Sequence, residues 1–316
     1  MRAIPDDLGR LGYGTAALGN IFHVISDDEA AAIVEAAWDG GIRYFDTAPH
    51  YGLGLAERRL GAALARYPRE EYLLSTKVGR LLEPSPETAD RTDEGFVVPA
   101  AYRRVWDPSP AGVRRSLAES LERIGTEWID IAYLHDPDEY DLDGGIAAGI
   151  PALAEAKEAG LVRAIGIGSK SVEALATAVR TGLCDLIMVA GRLTVLDHSG
   201  AELIELCEQH GVGIVNVGVF NSGALAAPTP SPDLHFEYGT ITPDRLADLE
   251  RVHEVCARFG VSAVDAALQY SFQLPGVVNV TVGASKSRQI AKSLAGLATE
   301  IDPALWPALD QAIQHR

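Results

Sequence analysis

The sequence predicts an α/β chain folded as a single (β/α)8 TIM barrel over residues 1–316. Short apolar runs alternate with amphipathic stretches eight times, without a break in composition. That is the pattern of strand–helix units closing a parallel sheet. A length of 316 residues is ordinary for one such barrel. A doubly wound sheet would instead carry a glycine-rich dinucleotide turn after its first strand. The glycines at 12, 14 and 19 have a different spacing.

Taken in order, YGTAALG (13–19) reads as the first strand. In the following SDDEAAAIVEAAWDGG, Ser26 and Glu29 are spaced as a capping box, and Gly40 or Gly41 supplies the stop. RYFDTA (43–48) is strand two, followed by a helix from about Leu55 to Ala65; YLLSTKVG (72–79) is strand three. A long polar stretch, 80–108, leads to Ser109-Pro110, a cap and first-turn pair. Val113, Leu117, Leu121 and Ile124 then recur at helical spacing. IDIAYLHDP (129–137) is strand four and IPALAEAKEAGLV (150–162) its helix. RAIGIGS (163–169) is strand five, with a helix from Val172 to Arg180. CDLIMVAG (184–191) is strand six and AELIELCEQHG (201–211) its helix. GIVNVGVF (213–220) is strand seven; a proline-rich loop and helices near 243–259 and 262–273 separate it from strand eight, VVNVTVGAS (277–285).

Composition narrows the function. With 27 Lys and Arg against 44 Asp and Glu, the formal net charge is -17. Such a surface repels phosphate backbones and anionic membranes, so neither nucleic acid nor membrane is an expected partner. Three widely spaced cysteines (Cys184, Cys207, Cys256) suit buried apolar positions in a reducing compartment rather than a disulfide framework. The start, MRAIPDDLGR, lacks the apolar core of a signal peptide. No run approaches the ~18 apolar residues of a membrane span. The expectation is a cytoplasmic protein, monomer or small homo-oligomer, acting on a small molecule without a metal.

In these barrels the carboxyl ends of the strands converge on one mouth. Asp46 ends strand two, Lys77 lies near the end of strand three, His135 near the end of strand four, and Tyr51 hangs in the loop after strand two. Each alone has an ordinary explanation: a strand-end cap, a rim lysine, a loop hydrogen bonder, a surface aromatic. Together they bring a carboxylate, an ammonium, an imidazole and a phenol to neighbouring strand ends. A phenol ordinarily titrates near about pH 10, and an adjacent ammonium stabilises its anion. Asp46 would keep a buried Lys77 charged, so Tyr51 becomes a usable general acid or base toward a carbonyl or alcohol oxygen that His135 orients.

FDTAPHYG, LSTKVG, DIAYLHD and the closing VTVGASKSRQI resemble the aldo-keto reductases, nicotinamide-dependent oxidoreductases on a TIM barrel. The resemblance runs from about residue 10 to 298. By motif position, it implies a catalytic tetrad of Asp46, Tyr51, Lys77 and His135. It also adds a cofactor, NAD(P)(H), with NAD or NADP left open. The loops after strands seven and eight, GVFNSGAL (218–225) and GASKSRQ (283–289), are where barrels often hold phosphate. The resemblance assigns cofactor contacts to Ser169, Gly218, Asn221, Ser222, Gly283, Ser285, Lys286 and Gln289. Lys286 and Arg288 suit a 2′-phosphate or are solvated surface charges. The chain departs from many members at Lys170, Met188 and Val217, where an asparagine, a glutamine and an aromatic commonly meet the nicotinamide.

AGRLTVLDHSG (190–200), VFNSGALA and STKVGRLL look like the branch that includes aldose 1-dehydrogenases, galactose and fucose dehydrogenases and pyridoxal 4-dehydrogenase. That likeness implies oxidation of a cyclic hemiacetal to its lactone. Arg80, Trp106, Asp136 and Arg192 are the candidate substrate-lining residues, with Trp106 either stacking on a sugar face or anchoring its loop. A general aldehyde or ketone reductase, an aldolase or isomerase using Lys77, and a non-catalytic cofactor-sensing barrel are the alternatives.

Overall fold

The structure, a computed structural model, describes residues 8–237 and 239–313. Residues 1–7, where the sequence argues against a signal peptide, lie outside the described residues. Eight parallel strands close the barrel: β1 (Leu11–Gly14), β2 (Tyr44–Asp46), β3 (Leu73–Val78), β6 (Ile131–His135), β7 (Ala164–Ser169), β8 (Leu186–Ala190), β9 (Gly213–Val217) and β12 (Val277–Gly283). Pairing of β1 with both β2 and β12 completes the ring. Two antiparallel hairpins stand outside it: β4 (Arg80–Pro84) with β5 (Tyr102–Trp106), and β10 (His235–Phe236) with β11 (Gly239–Thr240).

Helices α1 (Asp27–Asp39), α2 (Leu55–Leu64), α3 (Pro110–Ile124), α4 (Leu142–Glu158), α5 (Val172–Arg180), α6 (Glu202–His210), α7 (Pro243–Arg258), α8 (Ala263–Tyr270), α9 (Ser287–Ala298) and α10 (Leu305–Ile313) surround the barrel. The start signals read from sequence operate as expected. Ser26 and Glu29 form a reciprocal capping box on α1, and Ser109 Oγ accepts from Gly112 N on α3, with Pro110 in the first turn. Each cap satisfies N–H groups that the helix itself leaves unpaired, worth about 1 kcal/mol.

The two-residue period of each strand sorts its side chains. Phe45, Leu74, Ala132 and Leu134 face the helices and join the main apolar core, whereas Tyr44, Leu73, Ile131 and Tyr133 fill the barrel interior. Burying an aliphatic side chain of this kind stabilises the fold by about 1.5–3 kcal/mol. A separate cluster joins α7, α8 and α10 beside the barrel.

Three local expectations need correction. The first strand occupies Leu11–Gly14, and Ala16–Gly19 form a 3-10 turn instead. That turn brings Gly19 so close to the loop after β2 that a Cβ there would lie 2.6 Å from the Tyr51 carbonyl carbon. Part of the 80–108 stretch is the β4–β5 hairpin, with Arg80 opposite Trp106. Finally, α4 begins at Leu142, capped by Asp141, and carries Pro151 within it. Its early glycines serve packing: a Cβ at Gly145 would meet Trp106 at 2.9 Å, and one at Gly149 would meet Leu134 at 2.7 Å.

Candidate active site

Parity explains why Asp46, Lys77 and His135 share one site. Tyr44 and Asp46 point inward on β2, as do Leu73, Ser75 and Lys77 on β3, and Ile131, Tyr133 and His135 on β6. Register sets Asp46 beside Ser75, and Lys77 beside Tyr133. Lys77 reaches back across one layer, its Nζ lying 2.6 Å from Asp46 Oδ2 and 3.0 Å from the Thr47 carbonyl oxygen. The third donor goes to Tyr51 Oη at 3.0 Å. All three ammonium hydrogens are therefore directed. Ser75 Oγ donates to Asp46 Oδ1 at 2.7 Å, and Tyr44 meets Ser75 Oγ at 2.9 Å. The carboxylate is thus fixed from below by uncharged hydroxyls.

Burial works against the Lys77 charge, but the Asp46 carboxylate and the Tyr51 phenol outweigh it and hold the amine above the usual lysine range. Lys77 stays an ammonium across the physiological range. Behind it, the fully buried Glu57 of α2 accepts from Thr76 Oγ1 at 2.9 Å and from Arg123 Nε at 2.5 Å. Thr76 points outward, so this pair braces β3 from its helix side.

His135 faces the edge of Tyr51, with ring centroids 6.0 Å apart and planes at 90°. Burial above all, then the charges of Arg80 and Lys77, push the imidazole well below its ordinary pKa, so it is neutral. Its Nε2 lies 3.4 Å from Asp136 Oδ2. Burial raises the Asp136 pKa to about 6, partly offset by Arg80, and Glu139 raises it further. The β4–β5 hairpin walls this side of the mouth. Phe96 and Val98, between its strands, pack with Leu53 and Leu82, and Tyr51 rests against that cluster.

The four residues expected to converge therefore do so. Those expected to line the substrate pocket are tied into the protein. Arg80 is 4% exposed and donates to Asp136 Oδ2 at 2.6 Å and Glu139 Oε2 at 2.9 Å. Trp106 stacks on Tyr140 at 4.7 Å and 3°. Arg192 pairs with Asp197 at 3.1 Å, with Glu237, and with the Lys170 carbonyl oxygen at 3.1 Å.

At the other side of the mouth, Ser169 Oγ donates to Asp138 Oδ1 at 2.7 Å. Gly218, Asn221 and Ser222 follow β9 with φ of 68°, 45° and 57°. Asn221 is 3% exposed, and neither its Nδ2 nor its Oδ1 has a partner among the described residues. A buried carboxamide with no partner is costly unless something else satisfies it. Beyond β12, Ser285 N donates to Gln289 Oε1 at 2.8 Å, and Ser285, Lys286, Arg288 and Gln289 line a cleft of about 460 Å³ with His23 and Glu29. The unpartnered carboxamide, the left-handed turn and this cationic cleft fit a dinucleotide cofactor. A larger cavity, about 920 Å³, lies at the opposite end of the barrel, where Leu11 and Leu73 begin their strands.

Sequence reasoning missed Ser75, Thr47 and Glu57. The polar residues at 75 and 76 in an otherwise apolar strand were the available signal for the two braces.

Fold and site together define a barrel enzyme of the oxidoreductase class that works on alcohols and carbonyls. A model of the Aldo/keto reductase family matches residues 10–314, and the chain belongs to that family. It is accordingly an NAD(P)-dependent oxidoreductase acting on CH–OH and carbonyl groups. The chain is 49% identical over 307 residues to D-threo-aldose 1-dehydrogenase of a Pseudomonas species, covering 96% of this chain and 93% of the relative. It is 34% identical to pyridoxal 4-dehydrogenase of Microbacterium luteolum, with 95% and 92% covered. Among solved structures, aldo-keto reductase AKR11C1 from Bacillus halodurans in its holo form matches with a TM-score of 0.78 at 27% identity, over 97% and 93% of the two chains. No helix among the described residues is long and apolar enough to cross a membrane.

Proposed function

We propose that this enzyme oxidises the cyclic hemiacetal of an aldose to its lactone, with Tyr51 as the proton-transferring group. The observation that carries the reading is the hydrogen bond of 3.0 Å from the Lys77 ammonium to Tyr51 Oη, with Asp46 at 2.6 Å holding that ammonium charged. Similarity to an aldose 1-dehydrogenase along nearly the whole chain supports the substrate class. Bound NAD(P)+ supplies the hydride acceptor.

The anomeric hydroxyl hydrogen bonds to Tyr51 Oη and to neutral His135. Tyr51, as the phenolate that the Lys77 ammonium stabilises, takes the hydroxyl proton and becomes the neutral phenol as the C–H bond breaks and its hydride leaves for the acceptor. In the reverse direction the same phenol returns the proton to a carbonyl oxygen. Asp46, Ser75 and Thr47 keep Lys77 aimed at Tyr51 rather than at the substrate. Because the amine is held protonated, it is unsuited to the Schiff-base chemistry of an aldolase. Asn221, Gly218 and Ser222 would grip the cofactor's diphosphate, Ser169 its nicotinamide end, and Gly283, Ser285, Lys286 and Gln289 its adenosine end. Similarity to pyridoxal 4-dehydrogenase supports a second reading, an aromatic hemiacetal or aldehyde as substrate.

The test follows absorbance at 340 nm with NAD+ and NADP+ against aldoses, pyridoxal and simple aldehydes, in both directions. The reading expects an aldose to have the highest kcat/KM and its lactone as product. Turnover of simple aldehydes alone would replace it with a general reductase.

A further inference from the structure

His50 precedes Tyr51 in the loop between β2 and α2, and nothing derived so far uses it. Its ring lies 6.1 Å from that of Tyr51, 5.5 Å from that of His135 and 5.3 Å from that of Phe96, centroid to centroid. It is thus a third wall of the same mouth. Arg80 Nη1 lies 3.4 Å from His50 Nδ1. A guanidinium offers only N–H donors, so the ring nitrogen that faces it must present a lone pair. In a neutral imidazole the proton then sits on Nε2.

The charge state agrees. Burial, followed by the cations Arg104, Arg80 and Lys77, pushes the His50 pKa down to about 2. Arg80 itself is held by Asp136 and Glu139, and Arg104 donates to the His50 carbonyl oxygen at 3.1 Å while pairing with Asp93 at 2.7 Å. Tautomer and backbone are both fixed from the hairpin side. Among the described residues no protein acceptor meets Nε2–H.

We propose that His50 is a specificity-determining residue whose Nε2–H donates a hydrogen bond to a hydroxyl on the carbon next to the reacting one. On this account Arg80 and Asp136 are positioning residues that act through His50 rather than touching the substrate. The proposal rests on the reading of Tyr51 and His135 as the reaction centre. It selects α-hydroxylated substrates, sugars or hydroxyaldehydes, over their deoxy analogues.

The experiment compares kcat/KM of the holoenzyme for galactose against 2-deoxygalactose in oxidation, and for glycolaldehyde against acetaldehyde in reduction. His50→Phe keeps ring volume and removes the donor. His50→Asn keeps an acceptor for Arg80 but is too short to replace Nε2, and serves if the first variant fails to fold. The preference for the hydroxylated member should fall about 10- to 100-fold in either variant, through loss on that substrate alone. A ratio unchanged within about twofold, or an equal fall on both members, overturns the proposal. If no aldose is oxidised, the lactone-forming reading fails while the aldehyde pair still reports on His50.

Discussion

Replacing Lys77 by methionine keeps the length and apolar body of the side chain and deletes its charge. At the 3.0 Å separation between Nζ and Tyr51 Oη, a phenolate and an ammonium attract by about 5 kcal/mol at an effective dielectric of about 20. If about half of that attraction is present at the transition state, kcat falls by about 100-fold, and by about 10⁴-fold in the limit of full development. The variant also strands the buried Asp46 carboxylate, leaving it only Ser75, a penalty of about 3–5 kcal/mol against folding. The double variant Lys77→Met with Asp46→Asn removes that penalty and separates the two effects. Urea unfolding should show stability recovered in the double variant, while stopped-flow hydride transfer at saturating cofactor stays slow in both. Transfer within tenfold of wild type in the folded double variant would refute the electrostatic role of Lys77.

Three other expectations follow from the same geometry. Asn221→Gly tolerates the left-handed backbone and removes a buried carboxamide without protein partners, so it should weaken cofactor binding about tenfold without lowering the Tm of the cofactor-free protein; fluorescence titration and calorimetry check it. Stability should fall with acid, because His50 and His135 have depressed pKa values in the folded state and protonate more readily when unfolded. Their contribution is complete above about pH 6.5 and is lost below it at about 1.4 kcal/mol per pH unit for each histidine. Asp136, raised to about 6, has the opposite sign and offsets one of them below that pH. Urea midpoints from pH 7.5 to 4.5 should therefore decline less steeply in His50→Phe than in wild type.

Much of the barrel was legible because strand ends carry two independent marks, a run of apolar residues and a following glycine or cap. The inward parity of Asp46, Lys77 and His135 follows from position along each strand, so three side chains of the candidate site were readable without coordinates. What escaped notice depends on distant contacts. Ala16–Gly19 has no strong local preference; its turn is set by the approach of Gly19 to the Tyr51 backbone. The β4–β5 hairpin pairs residues 26 positions apart at its open end, Arg80 with Trp106, beyond any short-range turn signal. Gly144, Gly145 and Gly149 resemble loop residues in sequence, yet they lie in α4, where Trp106 packs against Gly145 and Leu134 against Gly149. The same long-range contacts made Arg80 and Asp136 look like free substrate ligands, although each is already paired.

The most direct test of the account is the rate of hydride transfer in Tyr51→Phe, measured in single turnovers with cofactor bound beforehand. Loss of the one hydroxyl should slow transfer by a factor of about 100 to 10⁴ while the dissociation constant of the cofactor stays within about twofold of wild type. A variant that binds cofactor normally and transfers hydride at the wild-type rate would contradict the claim that this phenol, sharpened by its ammonium neighbour, moves the proton.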